Sequence, residues 1–261
     1  MTEANIALIT GASGGIGMEL ARIHASGGND LVIVARSQAK LEALKAELEA
    51  AHQVKVWVIV ADLSEADAAQ KIYTQTEELG IKIKILINNA GFGGHGLFHQ
   101  RTLAKEQAMM QVNMVTLTNL THYYLQDMVA ANYGRILNVS SSASFVPGPL
   151  QAVYFATKAY VTSFSQAIAE EVKAHNISVT TLCPGTVATD FVITGDLQGV
   201  ATWKYAKSAQ SVAATGYRDM SKGLLVSFNE RVIKLMINWV IPLLPRKWLL
   251  KMSRAAMEKR D

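Results

Sequence analysis

A tyrosine and a lysine four residues apart, Tyr154 and Lys158 in Tyr-Phe-Ala-Thr-Lys, are the pair in this chain best suited to proton chemistry. On a helix, positions i and i+4 share a face, so the phenol and the ammonium can enter one site. A phenol loses its proton near pH ~10 and a lysine near ~10.4, so neither alone does acid–base work at neutral pH. A cation ~4 Å from a phenolate contributes ~4 kcal/mol at an effective dielectric of ~20, equivalent to roughly three pKa units. That shift would bring the phenol toward neutrality, where a general acid–base works best. The competing reading of the pair alone is an ordinary solvated helix face.

Positioning such a pair requires a framework, and the chain has one legible in outline. Ile6–Thr10, Leu31–Ala35, Val54–Val60, Ile85–Asn88, Arg135–Val139 and Ser178–Leu182 are short aliphatic runs. Stretches with helical periodicity lie between them, including Lys40–Ala51 and Leu103–Met128. Near-continuous apolar strands alternating with helices predict an α/β fold, a doubly wound Rossmann-type parallel sheet with helices on both faces. Ligands of such sheets bind beyond the strands' carboxyl ends. Lys222–Phe228 is a candidate for a short last strand. No repeat, low-complexity tract or composition shift marks a second domain.

The first strand runs into Thr10-Gly11-Ala12-Ser13-Gly14-Gly15-Ile16-Gly17, which opens a helical run, Ile16–Ser26. Glycines there allow a tight turn, close approach of backbone to a pyrophosphate, and close helix–strand packing. The new helix's N-terminus favours negative charge. Between strand one and helix one the loop predicts a bound dinucleotide. About twenty residues on, where an NAD site usually carries an acidic side chain, stands Arg36, with no Asp or Glu from Leu31 to Leu41. A guanidinium suits a ribose 2′-phosphate, with Ser13 in reach to assist, so NADP(H) is the expected cofactor. A solvated arginine at a strand end is the bland alternative.

Taken together, Thr10–Gly17, Asp62, Asn88-Asn89-Ala90-Gly91, Asn113, Ser141, Tyr154-x3-Lys158 and Pro184-Gly185 resemble the single-domain short-chain dehydrogenases/reductases over roughly Asn5–Phe228. Order and spacing agree: 13 positions separate Ser141 from Tyr154, and 28 separate Asn113 from Ser141. The resemblance implies roles. Tyr154 would be the general acid–base at a carbonyl or alcohol oxygen. Lys158 would lower its pKa and bond the nicotinamide ribose, Ser141 would hold the substrate oxygen, and Asn113 would support a water linking Lys158 to solvent. Asp62, with Leu63, would lie near the adenine, and Asn89, Ala90 and Gly91 along the cofactor. Gly11, Ser13, Gly14, Gly15, Ile16 and Gly17 would cradle the phosphates. Pro184, Gly185, Val187 and Thr189 would fix the carboxamide. Hydride transfer puts negative charge on oxygen, so donors preplaced there lower the barrier. The cofactor supplies the hydride, and no metal is required.

Other readings remain open on the residues themselves. Ser140, Ser141, Ser142 and Ser144 cluster, and spacing alone selects Ser141. Asn88 and Asn113 are equally readable as braces. Asp62, or Ser64 with Asp67 three residues on, could cap a helix. Cys183 reads as a buried, inert thiol. His95 and His99 read as loop polar residues rather than zinc ligands. Thr189–Ser208 resembles in position the family's substrate lid, with Phe191, Leu197, Val200 and Trp203 as expected wall residues, an ordinary surface loop being the alternative.

Composition bounds the remainder. The chain has 261 residues, half of them apolar, 18% charged, with net charge +4 and a single cysteine. This fits a globular α/β domain and argues against nucleic acid as the main partner. One cysteine allows no internal disulfide, and no secretory signal is evident at the start, so the expected setting is cytoplasmic. The expected division is a catalytic Rossmann domain over 1–228 and an apolar helical extension over 229–261, packed on it. Lys234, Pro242, Pro245, Arg246 and Lys247 make that extension a poor membrane span. It would be a flap over the substrate cleft, a subunit contact, or an amphipathic surface resting on lipid. The expected activity is NADP(H)-dependent interconversion of a hydrophobic carbonyl compound and its alcohol by a homodimer or homotetramer. The alternatives are a non-catalytic NADP(H) sensor or membrane-peripheral scaffold, and an epimerase or dehydratase on the same fold.

Overall fold

The computed structural model describes residues 5–259. In chain order its elements begin β1 (Ala7–Thr10), α1 (Gly15–Ser26), β2 (Leu31–Ala35), α2 (Gln38–His52), β3 (Val56–Val60), α3 (Ala68–Glu78) and β4 (Ile85–Asn88). Next come α4 (Leu103–Met110), a π-helical stretch Gln111–Thr116, α5 (Leu117–Ala130), β5 (Gly134–Val139), α6 (Ala152–Val172) and β6 (Ile177–Leu182). The remainder holds β7 (Val187–Ala188), α7 (Phe191–Thr194), β8 (Lys207–Ser208), α8 (Ala209–Ser221), β9 (Val226–Ser227), α9 (Arg231–Leu235) and α10 (Arg246–Met257). Seven strands form one parallel sheet in the order β3-β2-β1-β4-β5-β6-β9.

Strand alternation divides the core into two layers. Ala7 and Ile9 of β1 with Leu31 and Ile33 of β2 face Leu20, Leu44 and Val212, from α1, α2 and α8. Leu8, Val32 and Val34 face Ile72, Tyr124 and Ile168, from α3, α5 and α6. Both strand faces are therefore buried, which is why these segments read as continuous apolar runs instead of alternating ones. Each aliphatic side chain so buried stabilises the fold by about 1.5–3 kcal/mol before chain entropy is counted. The sheet order reverses between β1 and β4, and the crevice of a doubly wound sheet opens at such a reversal.

The strands expected from the sequence are found within one or two residues, and the expected last strand shortens to two residues. The helical stretch expected over Leu103–Met128 is continuous but not uniform, because the π-helical turn interrupts it. Its cause is tertiary. The Asn113 carboxamide accepts from Phe92 N at 3.1 Å and donates to Phe92 O at 3.0 Å, while Thr116 Oγ1 donates to Leu63 O at 2.8 Å. The helix widens where those anchors hold it.

Candidate active site

The turns after β1 and β4 are locked to one another. Thr10 Oγ1 accepts from the amides of Asn89 and Ala90, each at 3.0 Å. Asn89 Nδ2 donates to the carbonyls of Thr10 at 2.9 Å and Gly11 at 3.3 Å. Gly17 makes this closeness possible: a Cβ there would lie 2.4 Å from both Gly11 O and Asn89 Nδ2. Asn89 thus braces the glycine turn as well as facing the cavity. Asn88 does bracing alone, donating to Asn138 Oδ1 at 2.9 Å and Thr121 Oγ1 at 3.1 Å inside the core.

A cavity of about 1100 Å³ follows the carboxyl ends of the strands. Gly11, Ser13, Gly14, Gly15, Ile16, Asn89, Ala90 and Gly91 line its middle. By strand order, Arg36, Asp62 and Leu63 lie on the β2–β3 side. Ser141, Tyr154, Lys158, Pro184, Gly185, Val187 and Thr189 lie toward β5 and β6. Two expected site residues are not in the lining: Gly17 is behind the glycine turn, and Asn113 is buried beneath Gly91.

The middle of the cavity is built for an anion. Nothing lies within 4 Å of a Cβ placed on Gly14, so that stretch of backbone stands open. No side chain caps α1 and its first turn carries no acid, leaving its amides and the positive end of its dipole to the cavity. On the β2 side Arg36 and Ser13 are joined by Ser37 and Lys40, neither of which was expected. Lys40 falls in the first turn of α2, so its place follows from where that helix starts. Asp62 does not cap α3. Its Oδ1 accepts from Ser64 N at 2.9 Å and Ser64 Oγ at 2.8 Å, and the residue preceding α3 is Asp67, whose side chain makes no capping bond. Those two bonds, helped by Arg36, hold the Asp62 carboxyl below its usual range.

At the other side, α6 delivers Tyr154 and Lys158 from one face, with Lys158 Nζ 5.8 Å from the centre of the Tyr154 ring. The ammonium donates to Val139 O at 2.8 Å, and among the described residues no carboxylate pairs with it. A Cβ on Gly91 would lie 3.3 Å from Lys158 Nζ and 3.0 Å from Asn113 Oδ1, so these groups meet across that glycine. Asn113 Nδ2 also donates to Thr157 Oγ1 at 3.1 Å, and Thr157 Oγ1 in turn donates to Tyr154 O at 2.7 Å. Of the serine cluster, Ser140 Oγ is occupied by Lys158 O at 2.9 Å and Thr162 Oγ1 at 2.7 Å, and Ser144 Oγ by Ser141 O at 2.7 Å. Ser141 Oγ accepts from Ala143 N at 3.1 Å, which leaves its proton for another partner.

The expected lowering of the phenol's pKa is not what this arrangement gives by itself. Burial pushes Tyr154 up to about 12, opposed in part by the Ser141 hydroxyl. Burial also pushes Lys158 down to about 8. The two residues meet as expected, but desolvation sets both shifts, and the ammonium turns to Val139 O rather than to the phenol oxygen. Cys183, also buried, rises to about 11, as expected of an inert thiol.

The lid divides the expected wall residues. Phe191 and Trp203 line the cavity, with Phe191 5.3 Å from the Tyr154 ring, centre to centre, and 6.5 Å from Trp203. Leu197 and Val200 do not line it and are buried within the lid itself. From the tail, Leu249, Met252 and Met257 complete an apolar wall. His95 Nε2 hydrogen-bonds Met257 O at 2.8 Å and Gln151 Nε2 reaches Met257 Sδ at 3.0 Å, fixing the end of α10 over this side.

Known proteins are similar to this chain in sequence and fold. Residues 5–197 match the family profile described as short chain dehydrogenase. A 7beta-hydroxysteroid dehydrogenase from Mediterraneibacter gnavus is 30% identical over 227 residues, covering 86% of each chain. A short-chain dehydrogenase from Sphingobium yanoikuyae, solved in complex with NADPH, superposes with a TM-score of 0.83 at 30% identity over 88% of this chain and 89% of its own. The bulky-bulky ketone specific alcohol dehydrogenase from Comamonas testosteroni does so with a TM-score of 0.78 at 29% identity, over 87% of each. With the glycine turn, the Tyr154–Lys158 pair and the parallel sheet in one frame, the chain belongs to the short chain dehydrogenase family, oxidoreductases of hydroxyl and carbonyl groups.

Proposed function

We propose that this protein is an NADP(H)-dependent reductase of bulky apolar ketones, or dehydrogenase of the corresponding alcohols. The observation that carries the reading is one continuous cavity with a cationic, hydroxyl-rich pocket on one side and Ser141, Tyr154 and Lys158 beside an apolar wall on the other. Arg36, Lys40, Ser13 and Ser37 suit a 2′-phosphate, since a guanidinium pairs with it bidentately. The amides from Gly14 to Ile16 suit the pyrophosphate, and Pro184 to Thr189 the nicotinamide edge. NADPH, when bound, supplies the hydride.

The chain's own work is binding, orientation and proton supply. The Ser141 hydroxyl donates to the substrate oxygen and holds it beside the phenol. Tyr154, with its pKa near 12, remains protonated at neutral pH and gives its proton to that oxygen as negative charge builds there. Lys158, near 8, is mostly cationic at pH 7 and stabilises the phenolate left behind. In that moment the phenol's effective pKa falls, because its new charge meets a buried cation poorly served by its one carbonyl bond. Asn113 acts as a positioning residue: its amide hydrogens are spent on Phe92 O and Thr157 Oγ1, while its Oδ1, bonded by Phe92 N, keeps a second lone pair for a water link to Lys158.

The similar proteins named for 7beta-hydroxysteroids and bulky-bulky ketones support a large apolar substrate, as does the wall of Phe191, Trp203, Leu249, Met252 and Met257. A panel of steroid and diaryl ketones against short-chain ketones, followed by NADPH absorbance, tests this. Consumption stoichiometric with product and confined to the bulky ketones is expected. Preference for short ketones would refute the substrate class, and conversion without net NADPH consumption would point to epimerisation or dehydration.

A further inference from the structure

The tail from Arg231 to Met257 carries a surface the catalytic reading leaves unused. Residues 231–243 form one helical rod, in which α9 runs into a π-helical stretch (Met236–Val240) and a 3-10 turn (Ile241–Leu243). Its inner side is apolar, with Ile237 buried and Ile233 against Gly185. Its outer side is apolar as well: Val232, Leu235, Met236, Trp239, Val240 and Leu243 recur at i, i+3, i+4, i+7, i+8 and i+11, and all are exposed. Trp239 is 72% exposed and Leu243 83%. A helix on a water-facing surface carries polar residues on its outer side; here Arg231, Lys234 and Asn238 form only a narrow polar strip beside six exposed apolar residues, and an apolar face of that extent marks a second partner. Trp248 and Leu250 on α10 are exposed as well.

Charge identifies the partner. Between residues 231 and 257 stand six cations, Arg231, Lys234, Arg246, Lys247, Lys251 and Arg254, and no aspartate or glutamate; of these, Arg254 pairs with Glu258 at 3.0 Å. Symmetric pairing of this face with a second copy would set one cation-rich surface against another, which opposes association. An anionic bilayer surface satisfies both features, with apolar side chains in the acyl boundary, tryptophans at the interface and cations at the headgroups. Among the described residues no helix is long and apolar enough to cross a membrane, so the segment lies on the surface.

We propose that the outer face of residues 231–251 docks this protein on an anionic lipid surface. The opposite face of α10, through Leu249 and Met257, walls the cavity, so docking sets the substrate side of the molecule against the bilayer. This proposal requires neither NADPH nor a ketone and stands apart from the catalytic reading.

Full-length protein is sedimented with phosphatidylcholine vesicles, with and without phosphatidylserine, and its mass in solution is measured by light scattering. Binding to the phosphatidylserine vesicles that weakens with salt is expected. Lys247→Ala with Lys251→Ala should weaken it roughly thirtyfold, at about fivefold per cation. Trp239→Asp with Leu243→Asp should abolish it while the thermal transition stays in place, both side chains being exposed. No vesicle binding at low salt overturns the proposal, and so does self-association that the Asp variant disperses while vesicle binding is unchanged.

Discussion

Replacing Lys158 with methionine separates what the site needs for folding from what it needs for chemistry. Lys158 is buried, has no carboxylate partner among the described residues, and has its pKa pushed from 10.5 to about 8. Holding that charge at pH 7 therefore costs about 3 kcal/mol relative to the unfolded chain. Its one compensation lost on substitution is the bond to Val139 O, and a charged hydrogen bond contributes about 1.5–3 kcal/mol. Lys158→Met should leave the ligand-free protein as stable as before, or up to about 2 kcal/mol more stable, while removing turnover. The pH dependence is the sharper test. Because folding lowers this pKa, the unfolded chain holds the extra proton between pH 8 and 10.5, and stability rises with pH across that window. Wild type should recover about 2 kcal/mol from this group between pH 7 and pH 9.5, and the Met variant none. At about 2–4 °C per kcal/mol, the wild-type melting temperature should gain roughly 4–8 °C on that of the Met variant between those two pH values. The upper limit of pH 9.5 avoids Tyr154, whose raised pKa stabilises the fold below pH ~10 and ceases to do so as pH climbs toward 12. A melting-temperature difference that stays constant from pH 7 to 9.5 would refute the unpaired, buried cation. A Met variant markedly less stable at pH 7 would do the same.

Three further outcomes are expected. Arg36→Ala should weaken NADPH binding by roughly 10–100-fold, as losing a charged pair costs about 1.5–3 kcal/mol, and leave NADH binding nearly unchanged; isothermal titration with both cofactors checks it, and equal losses would contradict it. Gly17→Ala forces a Cβ to within 2.4 Å of Gly11 O and Asn89 Nδ2. It should cost about 1–3 kcal/mol in a denaturant titration, and cofactor affinity as well. Ketone reduction should fall as pH rises through about 8, where Lys158 loses its proton; a rate flat to pH 10 would show that the ammonium is not needed.

The sequence made the sheet legible because strands buried on both faces leave uninterrupted aliphatic runs such as Leu31–Ala35, and glycine spacing made the close turn between β1 and α1 legible. Tyr154 and Lys158 were recoverable as a pair from helical geometry, but not the direction of their pKa values, which depends on burial and on the Lys158 bond to Val139 O. The π-helical turn at Gln111–Thr116 left no periodic signal, since Asn113 and Thr116 create it by reaching residues far away in sequence. Leu197 and Val200 looked like cavity walls because apolarity does not say which side a lid residue faces. The tail was readable as apolar and basic. That one side of it walls the cavity while the other faces outward required the path of the chain.

The central claim is that the Tyr154 phenol hands a proton to a carbonyl oxygen beside NADPH. Single-turnover reduction by Tyr154→Phe, measured beside NADPH affinity for the same preparation, tests it most directly. Affinity within about threefold of wild type, with the rate lower by at least about 10²–10³, is the predicted pair of results. A Phe variant that binds NADPH and reduces the ketone at the wild-type rate would contradict the account.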